Sequence, residues 1–491
     1  MQSELHTILS QLLDKGYQIS PEAFIILQEM PITEADKIIE KVLLTVNENP
    51  ELYLIDTTML EKASSGTKET TIQSEKFPYA KKITADIDVL PDEESKPSGD
   101  VDGYIDYFNS RFTQIENILK QRVDVRDYIP LSQALKLPIK SNMKTIGIVS
   151  NKNARGDRLF IDLEDQNSQI TVLVSGKELI EQGLEILEDQ VLCFKGFKYR
   201  EDLFIANELI WPDVPMRNSN RSDEDVCAIF VGDIHVGSRW FRDDLFEKFV
   251  KWMNLELGPQ PSRNLASKVK YIIITGDLVD GIGIYPDQID ELLISTQREQ
   301  YKEAARLLSK LPEYVKIIII PGNHDAVRRS LPQPPIPEKY APELYNDPRI
   351  HMLPNPCTIK LHGVEIMLAH GKGLDDILSS TPGHDFHHPI TGVELMLRCR
   401  LFAPIYGQTT PIAPERIDRL VIRSVPDVLA MGHVHIYETK KYKGITLISS
   451  GSFQDQTPFQ KRMKLKPTPG LVSVFNLMTH QNIPLDFERL N

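Results

Sequence analysis

Apolar and polar positions recur along this chain with two different periods, and the places where the period changes divide it. Over residues 1–46, Leu5, Ile8, Leu9, Leu12 and Leu13 repeat at helical spacing and Gly16 is placed as a C-cap. Ser20-Pro21 opens a second helix carrying Phe24, Ile25 and Leu27, and Thr33 with Asp36 caps a third holding Ile38, Ile39, Val42 and Leu43. The spacing predicts a small three-helix module, suited first to partner docking. Residues 47–100 lose the pattern in KASSGTKETTIQSEK and LPDEESKPSGD and read as a flexible linker. Periodicity returns over residues 101–141, where Ile105, Phe108, Phe112, Ile115, Ile118 and Leu119 line one face of a connecting helix.

Between residues 142 and 212 the period becomes two. MKTIGIVS, RLFIDLED and QITVLVS, the helical KELIEQGLEIL, then QVLCFKGFKY and LFIANELIW give strand, strand, strand, helix, strand, strand, with Asn153 to Gly156 as a turn. That order matches an OB-fold barrel, a scaffold used for single strands or protein contacts. Phe160, Phe194, Phe197, Tyr199 and Phe204 are candidates for stacking bases, although Phe160, Phe194 and Phe204 suit core packing equally. Over residues 226–491, the strands CAIFVGD, YIIITGD, VKIIIIPGN, VEIMLAHG, VLAMGH and ITLISSGS are separated by helical stretches such as DLFEKFVKWMN, STQREQYKEAARLLSKL and GVELMLRCRLF. Near-continuous apolar strands spaced by helices predict an α/β or α+β layered domain with both sheet faces covered.

Composition narrows the class. At 491 residues, and roughly 150 residues per domain, about three units are expected. A hydrophobic share of 41% with 25% charged residues is that of a soluble globular protein. No apolar run approaches the roughly 20 residues that cross a bilayer, and MQSELHTILSQLLDKG lacks a basic start and a cleavage site, so an intracellular protein is expected. Cys193, Cys227, Cys357 and Cys399 are far apart and form no C-x-x-C pair, which points to reduced, buried thiols. A net charge of −13 argues against coating nucleic acid by bulk electrostatics and leaves room for a local basic channel or a cation-filled acidic site.

The strands end alike. They finish in Gly232-Asp233-Ile234-His235, Gly276-Asp277, Gly322-Asn323-His324-Asp325, His370-Gly371 and Gly432-His433-Val434-His435. Five strand ends of one chemical type, each beside a glycine that lets backbone come close, are a poor fit to chance. Carboxylate, amide and imidazole suit divalent metals such as Mn²⁺, Fe²⁺ or Zn²⁺, and the missing thiolate disfavours a structural zinc site. The donors suffice for two ions, and a pair about 3.5 to 4 Å apart needs a bridging carboxylate, for which Asp277 is the candidate. Such a pair clamps a phosphodiester and activates water. His324 is then one ligand too many and suits the acid that protonates the leaving alkoxide, with Asp325 as its orienter.

The set D-x-H, G-D, G-N-H-D, H-G and G-H-x-H resembles the calcineurin-like metallophosphoesterase superfamily, within it the double-strand-break repair nucleases. With the barrel and the helical module added, the whole chain resembles the small subunits of archaeal family D DNA polymerases. The resemblance implies a multidomain fold: a four-layer-type metallophosphoesterase domain over 226–491, preceded by the OB-fold barrel and the N-terminal helices. It further implies that Asp233, His235, Asp277 and His435 hold one metal, that Asp277, Asn323, His370 and His433 hold the other, and that His324 is catalytic. Implied too are two divalent ions, Mn²⁺ first with Fe²⁺, Zn²⁺ or Mg²⁺ as alternatives, and a 3′ to 5′ proofreading exonuclease on single-stranded or mismatched DNA ends. The partners implied are a large catalytic polymerase subunit and DNA, with a sliding clamp as a further candidate, in a cytoplasmic, nucleoid-associated setting. The related small subunits of eukaryotic replicative polymerases have lost such ligands and act as scaffolds, so the intact set argues that this chain cuts.

Two further features stay open. His384, His387 and His388 lie in a Pro-flanked loop that fits a segment near the substrate better than a third metal site. Arg328 and Arg329, just after the catalytic loop, and the run Lys461, Arg462, Lys464 and Lys466 are candidates to grip the phosphate backbone, against solvated surface charge. An inert scaffold and a small-molecule phosphomonoesterase are the competing function classes, the second disfavoured by the barrel and the N-terminal module.

Overall fold

The computed structural model describes residues 18–30, 35, 37–39, 42, 54–55, 57, 59–60, 78–91, 96–97 and 99–490. The first expected helix, Leu5 to Leu13, and the Thr33/Asp36 cap lie outside them. The second helix is Pro21–Glu29, started by Ser20, whose Oγ accepts from the Ala23 amide at 3.1 Å. It buries Ala23 and Leu27, while Phe24 and Ile25 face solvent rather than the module. Ile38, Ile39 and Val42 join that core as expected, and Ala35, Ile55, Met59 and Leu60 join it besides. Gln18–Ile19 pairs in parallel with Leu54–Ile55. The module thus continues past its expected end at residue 46, because a two-residue strand gives no periodic signal.

The linker expected over 47–100 is corrected again at its far end. Tyr79–Lys82 is helical and Ile87–Val89 is a strand paired with Cys357–Leu361 of the C-terminal domain. The Leu90 amide donates to the Thr358 carbonyl at 3.0 Å, and the Tyr271 hydroxyl accepts from the Asp86 amide at 2.8 Å. An unpaired sheet edge recruits this stretch despite its polar composition.

The connecting helix is Val101–Lys120, capped by Asp100. It buries Tyr107, Arg111, Ile115 and Leu119, one stripe at i, i+4 spacing, so the expected face is turned and Ile105 is exposed. Arg111 is drawn inward because five acceptors surround it: Asp418 Oδ2 at 2.7 Å, the carbonyls of Pro404, Ala403 and Asp189, and the Tyr107 hydroxyl oxygen.

Strands Asn142–Arg155, Arg158–Glu164, Gln169–Ser175, Val191–Lys198 and Leu203–Ile210 close into a barrel, with helix Lys177–Leu184 between the third and fourth. Alternation puts Leu159, Ile161, Leu163, Ile170, Val172 and Val174 inside. Phe194 and Phe204 are core residues, Phe160 and Phe197 are half-buried, and Tyr199 is exposed. The expected turn falls slightly later, at Gly156-Asp157, where Gly156 takes φ +62°.

The C-terminal part contains two six-stranded sheets. The first runs Ile350–Met352, Lys316–Ile319, Val269–Ile274, Cys227–Val231, Leu471–Asn476, Asn482–Asp486, parallel through its first four strands and antiparallel beyond. The second runs Glu438–Tyr442, Ile445–Ser449, Val428–Met431, Val364–Leu368, Cys357–Leu361, Ile87–Val89. Alternate residues of each strand enter different cores. Ala228, Phe230, Tyr271, Ile273 and Ile318 meet Ile366, Leu368, Val428, Ala430 and Ile448 between the sheets. Ile229, Ile272, Ile274 and Ile317 instead pack on Phe246, Phe249, Trp252, Tyr301 and Leu308 of the outer helices, and Leu429 and Met431 pack on Val393 and Met396. Both faces being covered explains the unbroken apolar runs. Truncating Ile273 to Ala in this doubly buried layer costs about 2–5 kcal/mol. Among the described residues no helix is long and apolar enough to cross a membrane.

Candidate metal centre

The strands Cys227–Val231, Val269–Ile274 and Lys316–Ile319 of one sheet and Val364–Leu368 and Val428–Met431 of the other deliver their C-terminal ends to one spot. Glycines make the approach feasible. A Cβ on Gly322 would lie 2.1 Å from Asp277 Oδ1, and one on Gly276 2.4 Å from His370 Nδ1.

All seven expected donors meet there. His235 Nε2 and His435 Nε2 are 3.1 Å apart, and His435 Nε2 is 3.4 Å from Asp233 Oδ1. Asp277 Oδ2 is 3.8 Å from His235 Nε2 and 3.3 Å from His370 Nε2, so its carboxylate lies between the two groups. His370 Nε2 is 3.0 Å from Asn323 Oδ1, and its ring packs against His433 at 5.1 Å between centroids. Asp233, His235 and His435 can hold one ion, and Asp277, His370 and His433 another. The donor set passes a test of fit. His370 Nδ1 donates to the Thr275 carbonyl at 2.9 Å and His235 Nδ1 lies 3.0 Å from Asp280 Oδ1, which leaves both Nε2 lone pairs aimed inward. His235 Nε2 and His435 Nε2, 3.1 Å apart, share a proton in a hydrogen bond or face a cation together. Five of these donors, Asp233, His235, Asp277, His433 and His435, also hold φ between +51° and +75°, strained for residues with a Cβ.

Electrostatics follow from burial and crowding. Burial raises Asp277, but His370 and His324 outweigh it and hold the carboxylate well below its usual range. Burial dominates at Asp233 and pushes it up, against the pull of His370. Burial lowers His370, yet Asp277 beside it keeps it above an ordinary imidazole, whereas burial and then His235 hold His435 well below one.

His324 stands at the rim. Its Nδ1 donates to the Asp280 carbonyl at 2.7 Å, its amide donates to Asp277 Oδ1 at 2.8 Å, and its ring meets His235 edge-on at 4.6 Å. Asp325 does not orient it, contrary to expectation. The Asp325 carboxylate accepts from the amides of Gly322 at 2.9 Å and Leu278 at 3.3 Å and from the Tyr301 hydroxyl at 3.0 Å. It therefore ties the turn to the neighbouring strand end, since successive side chains of a tight turn point apart.

The basic candidates separate. Arg328 is half-buried and held by the Pro332 carbonyl and by Glu415 at 2.8 Å. Arg329 donates to the Gly283 carbonyl at 2.6 Å and stays partly exposed. Lys461, Arg462, Lys464 and Lys466 are exposed on and after the helix Pro458–Arg462. The histidine loop sits elsewhere: His384 Nδ1 meets Thr391 Oγ1 at 3.1 Å and its Nε2 lies 3.7 Å from Glu185, while His388 lies 3.3 Å from Glu438. Among the described residues none of its histidines joins a group of metal donors, whereas His324 forms one with His235 and Asp277.

The family model for the B-type subunits of DNA polymerases alpha and epsilon matches residues 228–440. The DNA polymerase II small subunit of Archaeoglobus fulgidus is 36% identical over 478 residues, 96% of this chain and 95% of its own length. The chain belongs to the DNA polymerase II small subunit family. Family members from Methanothermobacter thermautotrophicus, 41% identical over 80% of this chain and 81% of theirs, and Pyrococcus horikoshii, 38% identical over 79% and 63%, match as well. The family match spans all five strand ends of the centre.

Four side chains that support the centre escaped the sequence. Asp280 holds His235, and Asp375 Oδ1 lies 2.9 Å from His433 Nε2. Gln454 Nε2 donates to Asp280 Oδ1 at 3.0 Å, and Gln460 Nε2 lies 3.1 Å from His435 Nδ1. Asp280, three residues beyond Asp277, and Asp375, five beyond His370, were findable as carboxylates near a donor. The two glutamines carry no local signal.

Proposed function

We propose that this family member carries a two-metal 3′ to 5′ exonuclease centre that trims single-stranded or mismatched DNA ends. In this reading the two-sheet domain is of metallophosphoesterase type, the barrel is an OB-fold, and a large catalytic subunit is the partner. The name small subunit carried by the relatives supports that partner, and polarity and proofreading rest on the resemblance. The observation that carries the proposal is the convergence of seven donors, five of them buried, with His235 and His435 nitrogens facing each other at 3.1 Å.

Asp233, His235, Asp277 and His435 would hold one ion, and Asp277, Asn323, His370 and His433 the other. Divalent ions bound there would supply Lewis-acid neutralisation of phosphate charge and an acidified water, Mn²⁺ suiting this nitrogen–oxygen set. The chain's own part is positioning and proton transfer. His324 Nδ1 is fixed by the Asp280 carbonyl, so Nε2 is the atom that can carry a mobile proton. Burial lowers its affinity for that proton, and the charge of an arriving phosphodiester raises it again. As hydroxide, formed from a water that has given its proton to solvent, bonds to phosphorus and the P–O3′ bond breaks, His324 gives its Nε2 proton to O3′. Asp325 holds the turn that sets His324 and Asn323 in place.

The test is the purified full chain with Mn²⁺ and a 5′-labelled oligonucleotide. Stepwise release of nucleotides by the native protein and none by Asp277→Ala is expected. No release by either would reject the nuclease and leave the scaffold.

A further inference from the structure

We infer that the short helix Pro458–Arg462 and Trp240 form a stacking platform that feeds a single-stranded nucleic acid, bases against Phe459 and Trp240, into the metal centre. This rests on the nuclease proposal for what happens at the centre, but not for the binding itself. Four observations meet here. The helix is fixed by a capping box, with Thr457 Oγ1 accepting from the Gln460 amide at 3.2 Å and Gln460 Oε1 from the Thr457 amide at 3.0 Å. Gln460 faces inward and lies 3.1 Å from His435 Nδ1, so the helix abuts a candidate ligand. Its neighbour Phe459 is 55% exposed and Met463, one turn on, 52%: an apolar flank left open among the described residues. On the opposite flank Lys461 Nζ sits 5.6 Å from the Trp240 ring, and the Trp240 carbonyl accepts from the Asp455 amide at 2.7 Å, tying the indole to the same framework.

Charge selects the occupant. Lys461, Arg462, Lys464 and Lys466 lie within six residues, and no Asp or Glu occurs from Gln456 to Leu485, in a chain of net charge −13. One exposed aromatic face, Phe459, and a half-buried one, Trp240, interleaved with cations and one buried residue away from phosphodiester chemistry, fit a strand with unpaired bases and a charged backbone. A duplex hides its base faces and leaves Phe459 without a partner.

The test measures binding of a labelled oligothymidylate of about 15 nucleotides, within the site sizes of single-strand binders, and of an abasic oligomer of the same length, to the full chain in EDTA. Absence of metal separates it from cleavage, so an inactive nuclease leaves it standing. Phe459→Ala should weaken oligothymidylate binding by about 5- to 150-fold and leave abasic binding unchanged. Lys461→Ala with Arg462→Ala should weaken both and flatten the salt dependence by roughly 0.7 per lost phosphate contact. Oligothymidylate should also quench tryptophan emission, and Trp240→Phe should abolish the quenching, because Trp211 and Trp252 are buried. Binding within twofold of the native chain in both variants would overturn the proposal, as would equal losses of abasic and base-bearing strands in Phe459→Ala. If Phe459→Ala instead impaired only association with another protein, the platform would be a protein interface and the proposal wrong.

Discussion

Asp280→Asn isolates what a carboxylate behind the proposed metal-binding imidazole of His235 contributes. Asp280 is buried, with Oδ1 3.0 Å from His235 Nδ1 and 3.0 Å from Gln454 Nε2, and Oδ2 3.0 Å from Gln288 Nε2. Its carbonyl, which holds His324, is untouched by the substitution. Asparagine keeps an acceptor for His235 but exchanges a charged hydrogen bond, worth about 1.5–3 kcal/mol, for a neutral one at about 0.5–1.5. The difference of about 1–1.5 kcal/mol corresponds to roughly tenfold in affinity, at the lower end of the roughly 10- to 100-fold that outer partners of metal ligands contribute. The new Nδ2 also faces the Gln288 amide nitrogen, donor against donor, which adds to the cost. Calorimetric titration of the metal-free chain with Mn²⁺ should show one binding step weakened about tenfold. The step governed by His370 should hold, because a backbone carbonyl orients that ring. Mn²⁺ affinity within twofold of native, or an equal loss in both steps, would refute the reasoning.

His324→Ala should retain both Mn²⁺ equivalents by the same titration while slowing oligonucleotide cleavage by roughly 10²- to 10⁴-fold; loss of metal would make His324 a ligand. Arg111→Met leaves Asp418 charged in a fully buried site and should cost about 3–5 kcal/mol in urea unfolding, with much of it recovered in Arg111→Met/Asp418→Leu. Glu185, held down to about 2 chiefly by His384, against burial, and by Arg398, has a depressed pKa on folding. Its contribution to stability is therefore complete above its ordinary 4.5 and lost as pH falls toward 2, so Glu185→Gln should flatten the acid limb of a urea-midpoint profile over that window.

The centre was legible in the sequence to the extent that its parts are covalently local. Asp233, Asp277, Asn323 and His433 each follow an apolar run and a glycine, so the strand that delivers the donor and the residue that permits close approach are adjacent in the chain. The barrel was legible because period-two runs repeat in order. What failed was whatever depends on a partner far along the chain. Gln460 lies 25 residues from His435 and Arg111 lies 307 from Asp418, and neither has a pattern that foretells its burial. Ile87–Val89 is too short and too polar in context to announce a strand; the empty edge of Cys357–Leu361 makes it one. Asp325 misled through adjacency, since being next to His324 in sequence is what sends its carboxylate the other way.

The backbone at the centre bears on the choice between an enzyme and a scaffold. A non-glycine residue in a left-handed conformation costs about 1–3 kcal/mol and persists only where its surroundings impose it. Asp233, His235, Asp277, His433 and His435 all accept it at one spot, the first three at or below +54°. The side chains so presented are carboxylates and imidazoles removed from water, a second cost that hydrogen bonds from the His433 and His324 amides only partly offset. A scaffold could relieve both costs by placing glycine or asparagine at these five positions, with the packed sheets behind them undisturbed. Strain and desolvation held together at the same residues are the expected signature of donors presented to a charged ligand, which weighs toward a centre that binds cations and against one kept only for shape.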